Sequence, residues 1–523
     1  MTAPRILLCT LNARYSHASL GLRYLLANMG DLRPYTSLHE FTISRDPALI
    51  ADEILAQCPP AGEGIGILGF GVYIWNVRQT EAVLTRIRAS RPDIRIVLGG
   101  PEVSYEVNLQ SITAIADFVI TGWGDISFPK LCRALIDGPR PLQKVIAGEQ
   151  PPLEQIALPY REFSDADLAH RVLYVEASRG CPFKCEFCLS ALDKTAWAFD
   201  LDTFLDEMAG LYTRGARLFK FVDRTFNLKI DASLRILQFF LERIEANAAA
   251  GRALDLFVHF EVVPDHLPDR LKEMIARFPP GALQFEIGIQ SFDVEVQKRI
   301  SRRQDNDKTA ANLQWLRSHS HAHIHADLIF GLPGETLDSF ADGFDRLYAL
   351  QPHEIQPGIL KRLRGTPIIR HTETWGMVFD PEPPYQVKST STLDAAIFEQ
   401  FEHFARYWDL IANSGRFGKT IALILDTESS PFRAFWRCSA WLWTSLARTQ
   451  GVSPEMLVDQ LFTYLTGQAG LAASTVRDCL LADYVASGAR SNPVCLQGYL
   501  PKLPVIDKKQ ARTARQDRHE GAA

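Results

Sequence analysis

Along its first 150 positions the chain alternates short apolar runs with stretches whose apolar residues recur at helical spacing. Alternation of this kind predicts a parallel sheet with helices on both faces. The segments RILLCTL near Ile6 to Leu11, SLHEFTI at 37 to 43, GIGILGFGVYI at 64 to 74, RIVLGG at 95 to 100 and DFVITG at 117 to 122 read as strands, and 77–90 as one of the helices between them. We place a Rossmann-like domain over 1–150. The stretch 138 to 158 has several prolines and no periodicity, and reads as a linker.

The same rhythm resumes at Leu173 with LYVEAS, then FKFVD at 219 to 223, LFVHFEV at 256 to 262, LQFEIGI at 283 to 289, HADLIFG at 325 to 331 and EIQPGIL at 354 to 360. Six such units are fewer than the eight of a closed barrel, so a partial (β/α)6 barrel of TIM type over 165–378 is expected, with its chemistry where the strands end. Beyond the prolines at 380 to 385 the apolar spacing turns helical and includes Trp408, Phe435, Trp436, Trp441 and Trp443. This predicts a mainly helical domain over 385–506. The segment 507–523 is polar and charged and is expected to be disordered. The fold class is therefore α/β with a helical addition.

Length agrees, since 523 residues exceed the roughly 250–300 at which single cores stop growing. A net charge of -5 gives no polyanion-binding signature, so nucleic acid is not indicated as a partner. No apolar run reaches the ~20 residues of a membrane helix, and the opening segment is broken by Asn12 and Arg14. We expect a cytoplasmic protein. Nine cysteines scattered over the chain argue against a disulfide framework and for reduced thiols.

Three of them cluster. In SRGCPFKCEFCLSALD, Cys181, Cys185 and Cys188 follow the strand YVEAS at C-x3-C-x2-C spacing, so one tight loop can aim all three at a common centre. Thiolates suit zinc or iron-sulfur clusters. Structural zinc nearly always has four protein ligands, and no fourth cysteine is near. Three thiolates on a four-iron cluster leave one iron open. The loop, with Phe187 at the aromatic position, resembles the cluster motif of the radical S-adenosylmethionine (radical SAM) superfamily, in which an open iron chelates S-adenosylmethionine and one electron cleaves it to methionine and a 5'-deoxyadenosyl radical.

The resemblance extends along the barrel and implies further cofactor contacts. Asp223, Thr225 and Asn227 of FVDRTFN end the second strand, Glu261 ends the third, and FEIGIQS offers Glu286, Gln290 and Ser291. Arg302 or Arg303 would pair with the cofactor carboxylate, and Gly331, Pro333 and Gly334 of DLIFGLPGET would shape a turn near the adenine. Any one of these polar residues is equally well read as a helix cap or surface group.

The first 150 residues are similar to the cobalamin-binding domain that precedes the barrel in one branch of the superfamily, through LNARYSHASLGLRYL, GFGVYIWN, VLGGPEVSYE and ITGWGDISF. Gly69, Gly71, Gly99, Gly100, Gly122 and Gly124 would let backbone approach a flat ligand at the sheet's carboxyl edge. Tyr73 and Trp75 are candidates to pack on a corrin face. No D-x-H-x-x-G pattern is present and His17 does not fit one, so the implied cobalamin is base-off, without a protein histidine on cobalt. Trp123 stands where many relatives carry an acidic residue. The bland alternative is a Rossmann-like domain without a corrinoid.

Together these similarities imply a cobalamin-dependent radical SAM enzyme, a methyltransferase acting on an unactivated carbon of a small-molecule or peptide substrate, with a flavodoxin or ferredoxin as electron donor and no membrane partner. Cyclisation or rearrangement, peptide or RNA tailoring, and a non-catalytic corrinoid sensor or carrier are the alternatives. The segment KRLRGTP at 361 to 367 offers cations to an anionic substrate group, or is a solvated loop. The helical segment from about 385 to 500 resembles the extra domain of one subgroup of these proteins.

Overall fold

The computed structural model describes residues 3–489, 491–501 and 518–519. The chain divides into two compact units. Unit 1 comprises residues 1–261 with 361–369 and 380–386, and unit 2 comprises 262–360, 370–379 and 387–523.

Unit 1 opens with six parallel strands, β1 (Arg5–Asn12), β2 (Thr36–Thr42), β3 (Gly66–Gly71), β4 (Arg95–Gly99), β5 (Phe118–Thr121) and β6 (Val145–Ala147), in the order β2-β1-β3-β4-β5-β6. The helices between them are α1 (Leu20–Ala27), α2 (Pro47–Gln57), α3 (Val77–Ser90), α4 (Ser111–Ile115) and α5 (Ser127–Asp137). Two apolar layers hold the sheet. Leu7, Phe70 and Leu98 pack with Val83 and Leu84 on one face, while Ile6, Ile67 and Val97 pack with Leu22, Phe128 and Leu131 on the other. Chain order reverses between β1 and β3, and in open parallel sheets ligands bind at the carboxyl ends beside such a reversal. β6 pairs with β5 inside the stretch that reads as a linker. It is a three-residue, largely exposed edge strand, so it carries no apolar signature.

The unit continues through α6 (Asp165–His170), β7 (Leu173–Val175), a two-stranded hairpin of β8 (Ser178–Arg179) and β9 (Trp197–Ala198), then α7 (Leu201–Thr213), β10 (Leu218–Phe221), α8 (Ile230–Ala249) and β11 (Phe257–Val262). β10 pairs in parallel with both β7 and β11. Asp200 caps α7 by accepting from the Thr203 backbone N–H, which fixes where the chain leaves the hairpin.

Unit 2 holds α9 (Asp269–Ile275), β12 (Leu283–Gln290), α10 (Val294–Arg299), α11 (Asn306–His319), β13 (His323–Phe330), α12 (Leu337–Ala349) and β14 (Glu354–Ile359), with β13 parallel to β12 and to β14. Among the described residues, all six strands that the sequence assigns to this second series are present, divided between the two units. Five helices follow, α13 (Ala395–Ile411), α14 (Gly418–Leu425), α15 (Pro431–Leu446), α16 (Pro454–Thr463) and α17 (Ala473–Ala486). They share a core with the strands before them, since Phe330 of β13 stacks on Phe401 at 3.9 Å and Phe344 of α12 meets Trp408 edge-on. Asn413 also uses both ends of its side-chain amide on the backbone of Ile355 in β14, at 2.8 and 3.0 Å. An edge strand exposes donors and acceptors that must be covered, and this amide covers one residue's pair. Trp408 is fully packed and Trp436, Trp441 and Trp443 are half-buried, which favours core over a stacking platform. The expectation of disorder over 507–523 lies outside the described residues except at Arg518 and His519, whose side chains bond to the backbone carbonyls of Ser414 and Asn413.

Candidate functional site

At the carboxyl edge of the first sheet lies a cavity of about 290 Å³. All six glycines singled out in the sequence line it, together with Tyr73, Trp123, Asp125, Glu176 and Arg179. Glycine is required most clearly at Gly100, where φ is +108° and a Cβ would fall 2.5 Å from the Val72 carbonyl oxygen. At Gly122 a Cβ would meet nothing within 4 Å, so that position opens onto space. Tyr73 and Trp75 stack on each other at 4.4 Å, with Tyr73 in the lining and Trp75 largely exposed. Among the described residues no histidine is in the lining. His17 is held elsewhere, its Nδ1 2.7 Å from the Tyr174 hydroxyl.

The cysteine loop leaves the β8–β9 hairpin through Gly180, whose φ of +85° and close approach to the backbone of 193–196 leave no room for a Cβ. Cys181 and Cys185 are buried and Cys188 and Phe187 half-buried. The Cys181 amide donates to the Asp193 carbonyl (2.9 Å) and the Cys188 amide to the Cys185 carbonyl (3.1 Å), which ties the loop to itself and to its exit. Burial raises the Cys181 thiol above its ordinary value, the neighbouring Cys188 and Cys185 thiols push the same way, and Arg224 opposes them. Among the described residues no three His, Cys, Asp or Glu groups are arranged around a single ion. Zinc draws its thiolates to ~2.3 Å, whereas a four-iron cluster takes each cysteine on a different iron and tolerates wider spacing. The donor set fits the cluster better.

A second cavity of about 290 Å³ abuts this loop, lined in part by Gly180, Pro182, Asp223, Thr225 and Phe226. Asp223, which the sequence offered as a cofactor contact, is 3% exposed and accepts from the Ala177 amide (3.0 Å) and the Ser178 hydroxyl (2.6 Å). Its oxygens therefore anchor the strand that leads into the cysteine loop. Burial pushes its carboxyl up to about 7 against the pull of those two bonds. A carboxyl whose folded pKa lies above its unfolded value favours folding fully below the unfolded value, and that contribution is lost as pH rises through 7. Urea midpoints are expected to fall from pH 5 to pH 8 by more in the wild type than in Asp223→Asn; parallel profiles would refute this. Asn227 is fully buried, and Glu261 is held by Arg224 at 2.5 Å.

In unit 2, Glu286 is half-buried on β12 and Gln290 sits at φ +69°, at the irregularity that ends β12's pairing with β13. Ser291 accepts from the Asp293 amide at 3.2 Å, and its carbonyl accepts from Gln297 at 2.7 Å, so it shapes the start of α10. Of the two arginines, Arg303 is exposed, whereas Arg302 reaches back to the Gly288 carbonyl and to Gln304. Gly331 (φ +86°) and Gly334 (φ +73°) shape a turn whose amides at 331 and 332 donate to buried Glu335. The Pro333 carbonyl accepts from Arg299 at 3.3 Å. The two arginines of KRLRGTP are not solvated cations awaiting an anion. Arg362 pairs with Glu106 (2.8 Å), and Arg364 with Glu102 (2.9 Å) and Glu106 (3.0 Å), because half-buried guanidinium groups are stable only when matched by carboxylates.

Residues 175–347 match the family described as the radical SAM superfamily. The matched stretch includes the cysteine loop. Residues 373–520 match a second family, described as a protein of unknown function (DUF4080). The cobalamin-dependent radical SAM methyltransferase TokK of Streptomyces tokunonensis is 25% identical over 316 residues, 55% of this chain and 45% of TokK. The 2-(S-pantetheinyl)-carbapenam-3-carboxylate methyltransferase of Streptantibioticus cattleyicolor is 24% identical over 317 residues, again 55% of this chain and 45% of the relative. The chain thus spans about half the length of the curated relatives it matches. Among radical SAM structures, OxsB with aqua-cobalamin and S-adenosylmethionine bound aligns with a TM-score of 0.59 and 14% identity, covering 92% of this chain and 79% of OxsB. TsrM from Kitasatospora setae, with cobalamin and a 4Fe-4S cluster, gives 0.55 and 16%, covering 73% and 76%. At these identities the shared property is the fold alone.

Sequence reading missed Arg179, the residue two positions before the first cysteine of the loop. It bonds Asp125 through both ends of its fork (2.8 and 3.1 Å) and Glu176 at 2.7 Å, and sits over the rings of Tyr24 and Trp123. Read linearly it was one more charge between a strand and a glycine. Its Asp125 partner is 54 residues away in the chain.

Proposed function

We propose that the protein is a cobalamin-dependent radical SAM enzyme that cleaves S-adenosylmethionine reductively and transfers a methyl group to an unactivated carbon of a small-molecule or peptide substrate. The observation that carries this reading is the pairing, within unit 1, of a three-cysteine loop with a glycine-walled cavity at the sheet's switch point. Cys181, Cys185 and Cys188 would hold a four-iron cluster, which supplies the electron for cleaving the sulfonium, while a corrinoid in the cavity supplies the methyl group. The chain's own residues bind and orient. The glycines admit the ligand, Tyr73 gives it an aromatic wall, and the absence of a lining histidine suits a base-off corrinoid. Methyl transfer is supported over cyclisation by the methyltransferase activities of TokK and the carbapenam enzyme. A flavodoxin- or ferredoxin-type donor in the cytoplasm would supply the electron.

Anaerobic reconstitution with iron, sulfide and hydroxocobalamin tests the reading, with iron and cobalt quantified and 5'-deoxyadenosine and S-adenosylhomocysteine assayed. Both nucleosides are expected. Deoxyadenosine without S-adenosylhomocysteine would exclude methyl transfer of this kind, and zinc in place of iron would exclude the whole scheme. A sharper check is Gly99→Phe. A Cβ there meets only the Ile120 carbonyl at 3.7 Å, so the backbone tolerates it while the ring occupies the cavity. Cobalt content is expected to drop by at least ~10-fold, the loss of about 1.4 kcal/mol of binding, with iron unchanged. Undiminished cobalt would place the corrinoid elsewhere.

A further inference from the structure

The turn at residues 122–125, Gly-Trp-Gly-Asp, lines the first cavity and grips the cysteine loop at both its ends. At the entry, Asp125 takes a two-pronged bond from Arg179, the second residue before Cys181, and both side chains are almost fully buried (6% and 12% exposed). At the exit, the Trp123 indole N–H donates to the Asp193 carboxylate at 2.8 Å. Asp193 in turn accepts the Cys181 amide on its carbonyl (2.9 Å), while its other carboxylate oxygen accepts the Thr195 hydroxyl (2.8 Å). The Trp123 ring also meets Trp197 edge-on at 5.9 Å, and Trp197 is the residue paired with Arg179 in the β8–β9 hairpin. One four-residue turn thus has a cavity face and a cysteine-loop face, joined by charge-assisted bonds in a desolvated setting where small displacements are transmitted rather than absorbed.

We infer that Trp123, Asp125, Arg179 and Asp193 are positioning residues that couple occupancy of the cavity to the geometry of the cysteine loop, so that a corrinoid and the cluster each alter the binding of the other. This rests on the cofactor reading above. Coupling between two sites is reciprocal, and typical values correspond to ~5- to 150-fold in affinity. A buried ion pair that merely holds the fold together would give no such coupling, because it would stabilise the empty and the loaded protein equally.

A double-mutant cycle on the full chain separates the two cases. Hydroxocobalamin affinity is measured by absorbance titration in the cluster-loaded wild type and in Cys185→Ala, and again with Trp123→Phe in each background. Phenylalanine keeps an aromatic ring beside Arg179 and removes the N–H that reaches Asp193. The expected result is a change of at least ~5-fold in affinity between cluster-loaded and cluster-free protein with Trp123, shrinking toward unity with Trp123→Phe, while the iron content of the protein carrying Trp123→Phe alone stays at the wild-type level. Arg179→Lys, which keeps the charge but loses the fork to Asp125, is expected to shrink it through the other connection. Equal ratios with and without Trp123→Phe and Arg179→Lys would overturn the inference and leave the cofactor reading standing. Failure of the wild type to bind hydroxocobalamin at all would overturn both.

Discussion

Cys185→Ala is expected to abolish S-adenosylmethionine cleavage, lowering 5'-deoxyadenosine formation by more than ~100-fold, since even changes outside the ligand set cost about 10- to 100-fold in metal affinity. Two thiolates remaining on a short loop cannot complete three irons of a cluster, and the open iron that would chelate the substrate is lost with it. The structure adds that the variant should still fold. Cys185 lies in the loop that follows β8 rather than in a strand or helix, and its neighbours in the loop are fixed by the Cys181–Asp193 backbone bond and by the Gly180 turn. The check is iron content together with deoxyadenosine, measured alongside the urea midpoint. Wild-type cleavage by a folded, iron-poor variant would be incompatible with a role for this loop, and an unfolded variant would point to Cys188→Ala, at the half-buried end of the loop, as the cleaner substitution.

Arg23→Met should lower the unfolding free energy by about 3 kcal/mol, the cost of stranding buried carboxylates when one partner of an ion pair is removed. Arg23 is 2% exposed, donates to Glu40 at 2.8 Å and to Asp167 at 3.0 Å, and lies over the Phe163 ring at 4.5 Å. Methionine fills similar space but satisfies neither acid. The loss should stay at the lower end of the range, because Arg171 also reaches Glu40 (2.7 Å) and Asp167 (3.4 Å). A combined Arg23→Met, Arg171→Met chain should therefore lose more than the sum of the two single changes. Additive losses in urea unfolding would show that the four charges do not act as one network. The effect bears on function because Arg23 sits in α1, five residues of which line the glycine-walled cavity, whereas Asp167 belongs to α6 immediately before β7.

The parts of the candidate site that were legible are those whose signal is local. Three cysteines within eight residues announce a common centre wherever they occur, and glycines at the ends of apolar runs mark backbone that must approach something closely. All six of the marked glycines line one cavity. Polar roles were less legible, because a polar residue's partner is chosen by the fold. Asp223, offered as a cofactor contact, lines the second cavity and also holds Ala177 and Ser178, some 45 residues away. Ser291 lies at a strand end as the pattern required, yet it organises the start of a helix. The arginines of KRLRGTP face carboxylates more than 250 residues earlier in the chain.

Sequence alone determined the order of strands and helices, the six-strand count of the barrel and the loop that would carry a cluster, because hydrophobic periodicity and ligand spacing are properties of neighbouring residues. Tertiary structure alone decided that a short polar segment pairs as β6, that the C-terminal helices share an aromatic core with β13 and α12, and that the turn at 122–125 holds the cysteine loop. Each of these depends on contacts between residues far apart in the chain, whose energies come from burial and from charge pairing that no local pattern encodes.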